Sequence, residues 1–217
     1  MNINEKQNLS IESYESIKRM ILNGELKQGQ AISISAMAES LQISRTPVTN
    51  ACQRLEHEKF LTILPKQGAI VNTISIEAAC GIYELRAAIE SYNAKRVINL
   101  ITAEDIRILK DSIQIQYSAI ERKDSVAFME ADIFFHKYIL EKNKNYEVTA
   151  VINPLYDRAF MLGIKNSMSD ARIKSSLDEH TRIIEALEKR DIKEFADAIE
   201  ANILNGLYSL TGRYFIK

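Results

Sequence analysis

A chain of 217 residues, 46% hydrophobic and 26% charged, is long enough for one large or two small globular domains with a packed core. No apolar run approaches the roughly 18 residues that cross a bilayer, and the N-terminus lacks the layout of an export signal, so we expect a cytoplasmic protein that does not contact membranes. Residues 1–74 contain eight Lys and Arg and seven Glu, a net charge of +1. The remainder contains 20 Lys and Arg and 22 Asp and Glu, a net charge of −2. Nucleic-acid binding would therefore depend on local placement of charge. Cys52 and Cys80 are expected to be small packing residues.

The first third of the chain predicts three short helices. The first ends near Asn23 and Gly24, the second has Ser35 as its N-terminal residue, and Ser44 caps the third. Pro47 falls in the first turn of the third helix, where its missing N–H does no harm. Their apolar stripes are Tyr14, Ile17, Ile21; Ile34, Met37, Leu41; and Val48, Ala51, Cys52, Leu55.

After the third helix the pattern becomes strand-like. Two β-prone runs, 61–64 and 69–71, flank the polar sequence Pro65-Lys66-Gln67-Gly68 and predict a small β-hairpin. Three helices followed by a hairpin are typical of a winged helix-turn-helix, which we assign to residues 8–74.

The chain beyond this point is almost wholly helix-periodic. We predict an all-α antiparallel bundle of about six helices over residues 75–217, so the fold class is mainly α. The first of these helices is expected to run from about Ile76 to Leu100, with Ile82, Leu85 and Ile89 in its apolar stripe. The apolar stripe of the second is expected to consist of Ile106, Leu109, Ile113, Tyr117 and Ile120.

Local signals mark where several of these helices begin. Thr102 opens the second helix with Asp105 near the capping-box position, and Asp124 and Asp191 open later ones. Pro154 lies within the fourth helical stretch, which is either one kinked helix or two.

The polar face of the third helix is the candidate DNA-reading surface. A helix fits the major groove and reads base edges with side chains near its N-terminal end. Arg45 could contact guanine, and the helix N-terminus suits a phosphate; the alternative is a merely solvated face. The candidate residues are Ser44, Arg45, Thr46, Thr49 and Asn50 of the helix and Lys66, Gln67 and Gly68 of the hairpin tip.

The segment Leu41-Gln42-Ile43-Ser44-Arg45-Thr46-Pro47-Val48 resembles the recognition-helix signature of the GntR family of regulators. The likeness extends over about residues 10–72 and implies double-stranded operator DNA as a partner. The family commonly has Arg at the position of Thr49. The resemblance therefore does not imply that this chain recognises the family's usual operator sequence.

A second constellation lies in the helical region. Asp132 and His136 stand four residues apart and share one helix face, and His180 is on the inner face of a later helix. Such residues could share a metal ion. The alternatives are a hydrogen-bonded pair of Asp132 with His136 and a core histidine at position 180; His57 is expected to be exposed without a role.

Residues 78–210 are similar to the FCD ligand-binding domain of the FadR branch of GntR regulators. The likeness rests on Leu85-Arg86-Ala87-Ala88-Ile89-Glu90, on Asp132-Ile133-Phe134-Phe135-His136 and on Glu179-His180. It implies a divalent metal (Zn, Ni or Mn) beside a small carboxylate effector.

Carried over by this resemblance, the metal ligands would be Asp132, His136 and His180. Asn202 stands where a third histidine is expected, and an amide oxygen is a weaker ligand for zinc or nickel. Metal affinity should therefore fall, or the same pocket would hold an organic ligand through Asn202 and the two histidines. Arg86 would anchor the carboxylate; the alternative is a salt bridge to Glu90.

These interpretations favour a transcription regulator, not an enzyme. An effector in the helical domain would change how two winged domains are placed in a homodimer, because half-sites on DNA usually mirror protein two-fold symmetry. Two alternatives remain: a helical metalloenzyme that uses Asp132, His136 and His180 with an accessory N-terminal module, and a metal sensor.

Overall fold

A computed structural model describes residues 3–165 and 170–212 of the chain. The chain divides into two compact units, residues 1–74 and 75–217. Among the described helices, none combines the length and the apolar character needed to cross a bilayer.

The first unit consists of three helices and a three-stranded antiparallel sheet. Its elements are α1 (Ile3–Leu22), β1 (Ala31–Ile32), α2 (Ile34–Ser40), α3 (Arg45–His57), β2 (Leu61–Leu64) and β3 (Gly68–Val71). The predicted hairpin of β2 and β3 is confirmed, with Leu61 opposite Val71 and Leu64 opposite Gly68. Sequence analysis missed β1, which pairs with β3 and makes the strand order β1-β3-β2. A two-residue strand is too short to carry a recognisable period.

The start of β3 requires glycine. Gly68 has φ +105, and a Cβ atom there would overlap the backbone carbonyl oxygen of Ile32 in β1. The close approach of two backbones therefore fixes this residue type within the sheet, whatever its relation to DNA.

The predicted N-terminal residue of α2, Ser35, lies one position after the first helical residue, Ile34. Ser33, not Ser35, is the N-cap, and its hydroxyl accepts a hydrogen bond from the backbone N–H of Ala36 at 3.3 Å. Both serines satisfy the sequence preference, and only the backbone conformation distinguishes them: the N-cap must be extended, and Ser33 has φ −81 and ψ 117. Ser44 occupies the predicted N-cap of α3.

The core of the first unit is formed by the predicted apolar stripes of α1 and α3 together with the sheet. Cys52 is fully buried, and burial raises the pKa of its thiol to about 11. This confirms Cys52 as a packing residue. The buried side chains include Tyr14, Ile17, Ile21, Val48, Ala51, Leu55, Phe60 and Leu61.

The second unit contains six helices over its described residues, as predicted. They are α4 (Ile76–Val97), α5 (Ala103–Glu121), α6 (Ser125–Glu141), α7 (Tyr146–Lys165), α8 (Asp170–Glu188) and α9 (Ile192–Thr211). Helix α4 packs against α9, α7 and α6, while α5 packs against α6 and α8, and α8 against α9. Pro154 lies inside α7, which is one helix.

The predicted helix starts of this unit are confirmed. Thr102 and Asp105 form a reciprocal capping box at α5. Asp124 accepts a hydrogen bond from Ala127 N at α6, and Asp191 accepts one from Glu194 N at α9. Capping signals are local in sequence, so they could be recognised without knowledge of the tertiary fold.

Three expectations for this unit were wrong. Helix α4 ends at Val97 and not at Leu100, and Leu85 and Tyr117, both expected on inner faces, are each 44% exposed. The inner face of α4 instead carries buried polar side chains, among them Arg86 and Glu90. Ile82 of the predicted stripe is buried and Ile89 is partly buried, so the helical period was right and only Leu85 was placed on the wrong side.

Candidate functional site

The N-terminal part of α3 presents a continuous polar face. Arg45, Thr46 and Asn50 are exposed, while Val48, Ala51, Cys52 and Leu55 on the opposite face are buried. Thr49 is half-buried, and its hydroxyl donates to the backbone oxygen of Arg45 at 2.9 Å. The first unit thus holds α3 by its apolar face and leaves the candidate base-reading side chains accessible.

Two further predicted positions are also accessible. Lys66 and Gln67 are exposed at the tip of the β2–β3 hairpin, where Lys66 has φ +64. Nδ2 of Asn50 lies 3.4 Å from Oγ of Ser10 on α1, which orients this amide on the surface. His57, at the end of α3, is exposed as predicted.

A charged network, missed by sequence analysis, joins the other end of α3 to α1. The carboxylate of Glu58 accepts hydrogen bonds from the Tyr14 hydroxyl at 2.8 Å, from Lys18 at 3.1 Å and from Arg54 at 3.2 Å. The Arg54 guanidinium lies 3.6 Å from the centre of the Tyr14 ring. Burial alone would raise the pKa of Glu58, but hydrogen bonds from Tyr14 and Lys18 outweigh it and lower that pKa. The network fixes α3 on its supporting helix.

The second unit brings together the three residues predicted as metal ligands. One ligand atom from each of Asp132, His136 and His180 lies within 4.8 Å of the others. Oδ1 of Asp132 is 3.5 Å from Nε2 of His180, and the two imidazole centres are 5.4 Å apart. Helix α6 contributes the i,i+4 pair and α8 contributes the second histidine.

His180 is fully buried and held from two sides. Its Nδ1 lies 3.0 Å from Oε1 of Gln116 on α5, and its ring stacks on Phe135 with 4.3 Å between centres. Burial, followed by the nearby His136, Arg172 and Arg86, lowers the pKa of His180 well below its ordinary value. The ring is therefore neutral, and its buried Nε2 has no hydrogen-bond partner among the described residues. A neutral imidazole nitrogen of this kind can coordinate a metal ion.

Nδ1 of His136 lies next to a carboxylate, whereas Nδ1 of His180 lies next to the Gln116 amide. Nδ1 of His136 lies 2.8 Å from Oε2 of Glu90, within ion-pair range but out of line for a regular hydrogen bond. The other oxygen of Glu90 accepts from Nε of Arg86 at 2.9 Å, so the alternative salt bridge foreseen for Arg86 is present. Nη2 of Arg86 is buried and has no partner among the described residues, which leaves one donor group of this guanidinium for another molecule.

Asn202 does not point its nitrogen at the histidines. Its Nδ2 donates to Glu179 at 2.8 Å, and Glu179 also accepts from Arg172 at 3.0 Å, Ser175 at 2.9 Å and Asn205 at 3.0 Å. The oxygen is therefore the end of the Asn202 amide that remains for a ligand.

These groups surround a small cavity of about 30 Å³. Arg86, Asp132, His136 and Asn202 line it together with Arg172, whereas the fully buried His180 is not one of the lining residues. The volume accommodates a few atoms, so an occupant is an ion or a small molecule.

Sequence analysis did not predict the contacts that four residues make in this site. Glu90 was considered only as a partner of Arg86, and Gln116, Arg172 and Glu179 were not assigned. Gln116 had a recognisable signal, because it continues the buried line of Leu109 and Ile113 on α5. A polar residue on an apolar stripe needs a buried partner.

A winged helix with an exposed polar third helix, followed by a helical bundle around a charged cavity, defines a ligand-responsive DNA-binding regulator. Residues 10–71 match the family model of bacterial regulatory proteins of the gntR family, and residues 81–205 match the FCD domain. The chain belongs to the GntR family and is a DNA-binding transcription regulator with an FCD domain as its effector-binding part.

Individual relatives agree with this membership. The HTH-type transcriptional repressor RspR of Escherichia coli is 26% identical over 212 residues, covering 96% of this chain and 90% of the relative. The gluconate operon transcriptional repressor of Bacillus subtilis is 23% identical over 176 residues, covering 80% and 70%. The solved structure of E. coli McbR/YncC has the same fold, with a TM-score of 0.83 at 19% identity, covering 94% and 97%.

Proposed function

We propose that a small organic acid, bound in the cavity of the second unit, controls the affinity of this regulator for its operator. The observation that carries the proposal is the buried Nη2 of Arg86, which has no partner among the described residues, on a residue that lines the same cavity as Asp132 and His136. A guanidinium matches a carboxylate in shape and charge. One relative is named for a gluconate operon, and gluconate carries the same carboxylate group, although its polyol chain is larger than this cavity.

We propose that a divalent cation binds beside this acid. The fit rests on Nε2 of His180, which is buried without a partner among the described residues and lies 3.5 Å from the Asp132 carboxylate. Two imidazoles and a carboxylate suit zinc or nickel, and an additional amide oxygen from Asn202 would make manganese competitive. When bound, the cation would supply a positive charge to hold the acid; Asp132, His136 and His180 would hold the cation.

On the DNA side, the proposed base contact is made by Arg45 to a guanine, with Thr46, Thr49 and Asn50 reaching bases or phosphates. Ser44 at the helix N-terminus would contact a phosphate, and Lys66, Gln67 and Gly68 would enter the adjacent minor groove. The exposure of Arg45, Asn50 and Lys66 supports this arrangement.

We propose a homodimer, since operators with two-fold symmetry are read by two-fold symmetric proteins. Helix α4 carries an exposed line of Gly81, Leu85, Ala88 and Tyr92 at helical spacing, with Leu85 44% and Tyr92 62% exposed. Such a stripe suits self-complementary helix packing. Tyr92→Glu is expected to shift sedimentation towards the monomer, whereas Tyr146→Glu, at an 83% exposed position of α7, should leave it unchanged.

The effector acts in this proposal by binding one arrangement of the dimer more tightly than another, which is the only way a ligand shifts such an equilibrium. The proposed place of action is the cytoplasm, where the operator lies. The cavity binds its ligand in this role without turning it over.

The deciding experiment selects bound duplexes from a random DNA pool and then measures binding to the winning sequence by gel shift. Small carboxylic acids with Zn²⁺ should change the operator affinity, and the same acids with a chelator should change it less. If the protein selects no DNA sequence, the proposed binding to an operator is rejected. Turnover of an added acid or ester by the same protein would favour the helical metalloenzyme.

A further inference from the structure

The polar face of α3 contains one short side chain between two longer ones. Thr49 lies four residues after Arg45 and four residues before Gln53, so the three share one side of the helix. Arg45 and Gln53 are exposed, and Thr49 is half-buried. Because Thr49 extends less far than its neighbours, it can contact a base only through a group of that base that projects into the major groove.

The hydroxyl hydrogen of Thr49 is already used within the helix. Oγ1 donates it to the backbone oxygen of Arg45, four residues earlier, at a distance of 2.9 Å. A threonine hydroxyl has one hydrogen, so this bond leaves none to donate to an acceptor on a base. Two groups of the side chain remain for DNA, the Cγ2 methyl group and the lone pairs of Oγ1.

The major groove offers a different partner to each of these two groups. A methyl group packs against the C5-methyl group of thymine, which projects into the groove, whereas an Oγ1 lone pair would accept from the amino group of adenine or cytosine. The bond to the Arg45 oxygen holds Oγ1 against the preceding turn of the helix. This arrangement favours the methyl group as the part of Thr49 that contacts a base.

We propose that Thr49 recognises a thymine through contact between the two methyl groups, so that the operator contains a specified T·A pair near the guanine contacted by Arg45. This rests on the proposed binding of α3 in the major groove and adds to it the identity of a second base. Burial of one apolar carbon group corresponds to about fourfold in affinity. Thr49 therefore contributes to the choice of sequence more than to the total affinity.

The test uses the full-length protein and the duplex selected from a random DNA pool. Each thymine of that duplex is replaced in turn by deoxyuridine, which lacks only the C5-methyl group and keeps the same base pair. Competition gel shifts at constant salt measure the affinities. We expect one thymine position at which the replacement weakens binding of the parent protein by about fourfold for each half-site changed.

Two variants separate the methyl group of Thr49 from its hydroxyl group. Thr49→Ser removes only the methyl group, so we expect weaker binding to the thymine duplex and no further loss with deoxyuridine at the same position. Thr49→Val keeps a methyl group and removes the hydroxyl, and should respond to deoxyuridine as the parent protein does. The control is Thr181→Ser in α8, where the hydroxyl also donates to the backbone oxygen four residues earlier, that of Leu177, at 2.9 Å. Its DNA affinities should equal those of the parent.

Three results would overturn the role of Thr49 while sequence-selective binding itself persists. They are a selected sequence without a fixed thymine, equal responses of the parent and Thr49→Ser to deoxyuridine at every position, and a greater loss in Thr49→Val than in Thr49→Ser. The last result is the one expected if Oγ1 accepts a hydrogen bond from adenine or cytosine. If the parent protein selects no sequence at all, the proposed function is rejected and this inference with it.

Discussion

Nδ1 of His180 lies 3.0 Å from Oε1 of Gln116, and both side chains are completely buried. The orientation of the Gln116 amide is set by its other end, where Nε2 donates to the backbone oxygen of Ala131 at 3.4 Å. With an acceptor opposite Nδ1, the proton of the neutral ring lies on Nδ1, and the lone pair on Nε2 faces Asp132. A glutamine from a third helix thus selects the tautomer that can bind a cation.

Gln116→Met should therefore weaken cation binding. The substitution keeps the length and volume of the side chain but removes the acceptor that holds the proton on Nδ1. Loss of such an outer partner typically costs about 10–100-fold in metal affinity, and calorimetry with Zn²⁺ measures it. Gln114→Met, at an exposed position of the same helix, is the control. Equal zinc affinities of the two variants would contradict this role.

The contrast between Asp132 and Gln116 explains how much of the site could be predicted. Asp132 and His136 were found because their relationship is local, four residues on one helix. The partners of the histidines come from α4 and α5, and Gln116 is 64 residues from His180 in sequence. Nothing local indicates which buried polar residues of different helices will meet, although the position of Gln116 on an apolar stripe showed that it needed a partner.

The same distinction holds for the fold. The starts of α5, α6 and α9 were predicted because a capping residue and its target N–H lie within one turn. Leu85 was placed inside because an apolar residue normally prefers burial, yet α4 turns Arg86 and Glu90 inwards. Their burial is stabilised by mutual pairing and by His136, which periodicity alone does not reveal.

Arg45→Ala is expected to weaken binding to the selected operator by about 1–3 kcal/mol, the usual worth of a bidentate contact between arginine and guanine. Binding to unrelated DNA should fall much less, since it depends mainly on phosphates. Gel shifts with both duplexes measure the difference. Arg122→Ala removes the same charge from an exposed position in the second unit and serves as the control. A similar loss of affinity for both duplexes would show that Arg45 does not recognise a base.

Gly68→Ala should destabilise the first unit more than Gly24→Ala. Both glycines have positive φ, +105 and +75, where an L-residue is strained. Nothing lies within 4 Å of a Cβ at Gly24, so that variant should lose about 1–2 kcal/mol from backbone strain alone. At Gly68 the new Cβ also meets the Ile32 carbonyl and must displace β1. Thermal unfolding measures both variants, and equal losses would mean that the sheet adapts to the added methyl group.

Acid should remove a stabilising contribution from Asp105. Its carboxylate accepts hydrogen bonds from Lys142 at 2.5 Å, from the Tyr138 hydroxyl at 2.7 Å and from Thr102. Burial alone would raise the pKa of Asp105, but hydrogen bonds from Lys142, Thr102 and Tyr138 outweigh it and hold that pKa well below its ordinary value.

Because the folded-state pKa lies below the unfolded value of about 3.9, the ionised carboxylate stabilises the fold above that pH and ceases to do so as the pH falls towards the folded-state pKa. Asp105→Asn should lower the free energy of unfolding by about 1–3 kcal/mol near pH 7, the usual cost of disrupting hydrogen bonds to a buried charged group. The difference from the parent protein should shrink as the pH falls below about 4. Urea titrations followed by circular dichroism at several pH values measure it.

Asp111→Asn removes an exposed carboxylate of the same helix and should change little at any pH. A deficit of Asp105→Asn that stays constant down to pH values where the protein unfolds would show that the hydrogen bonds stabilise the fold without depending on the charge.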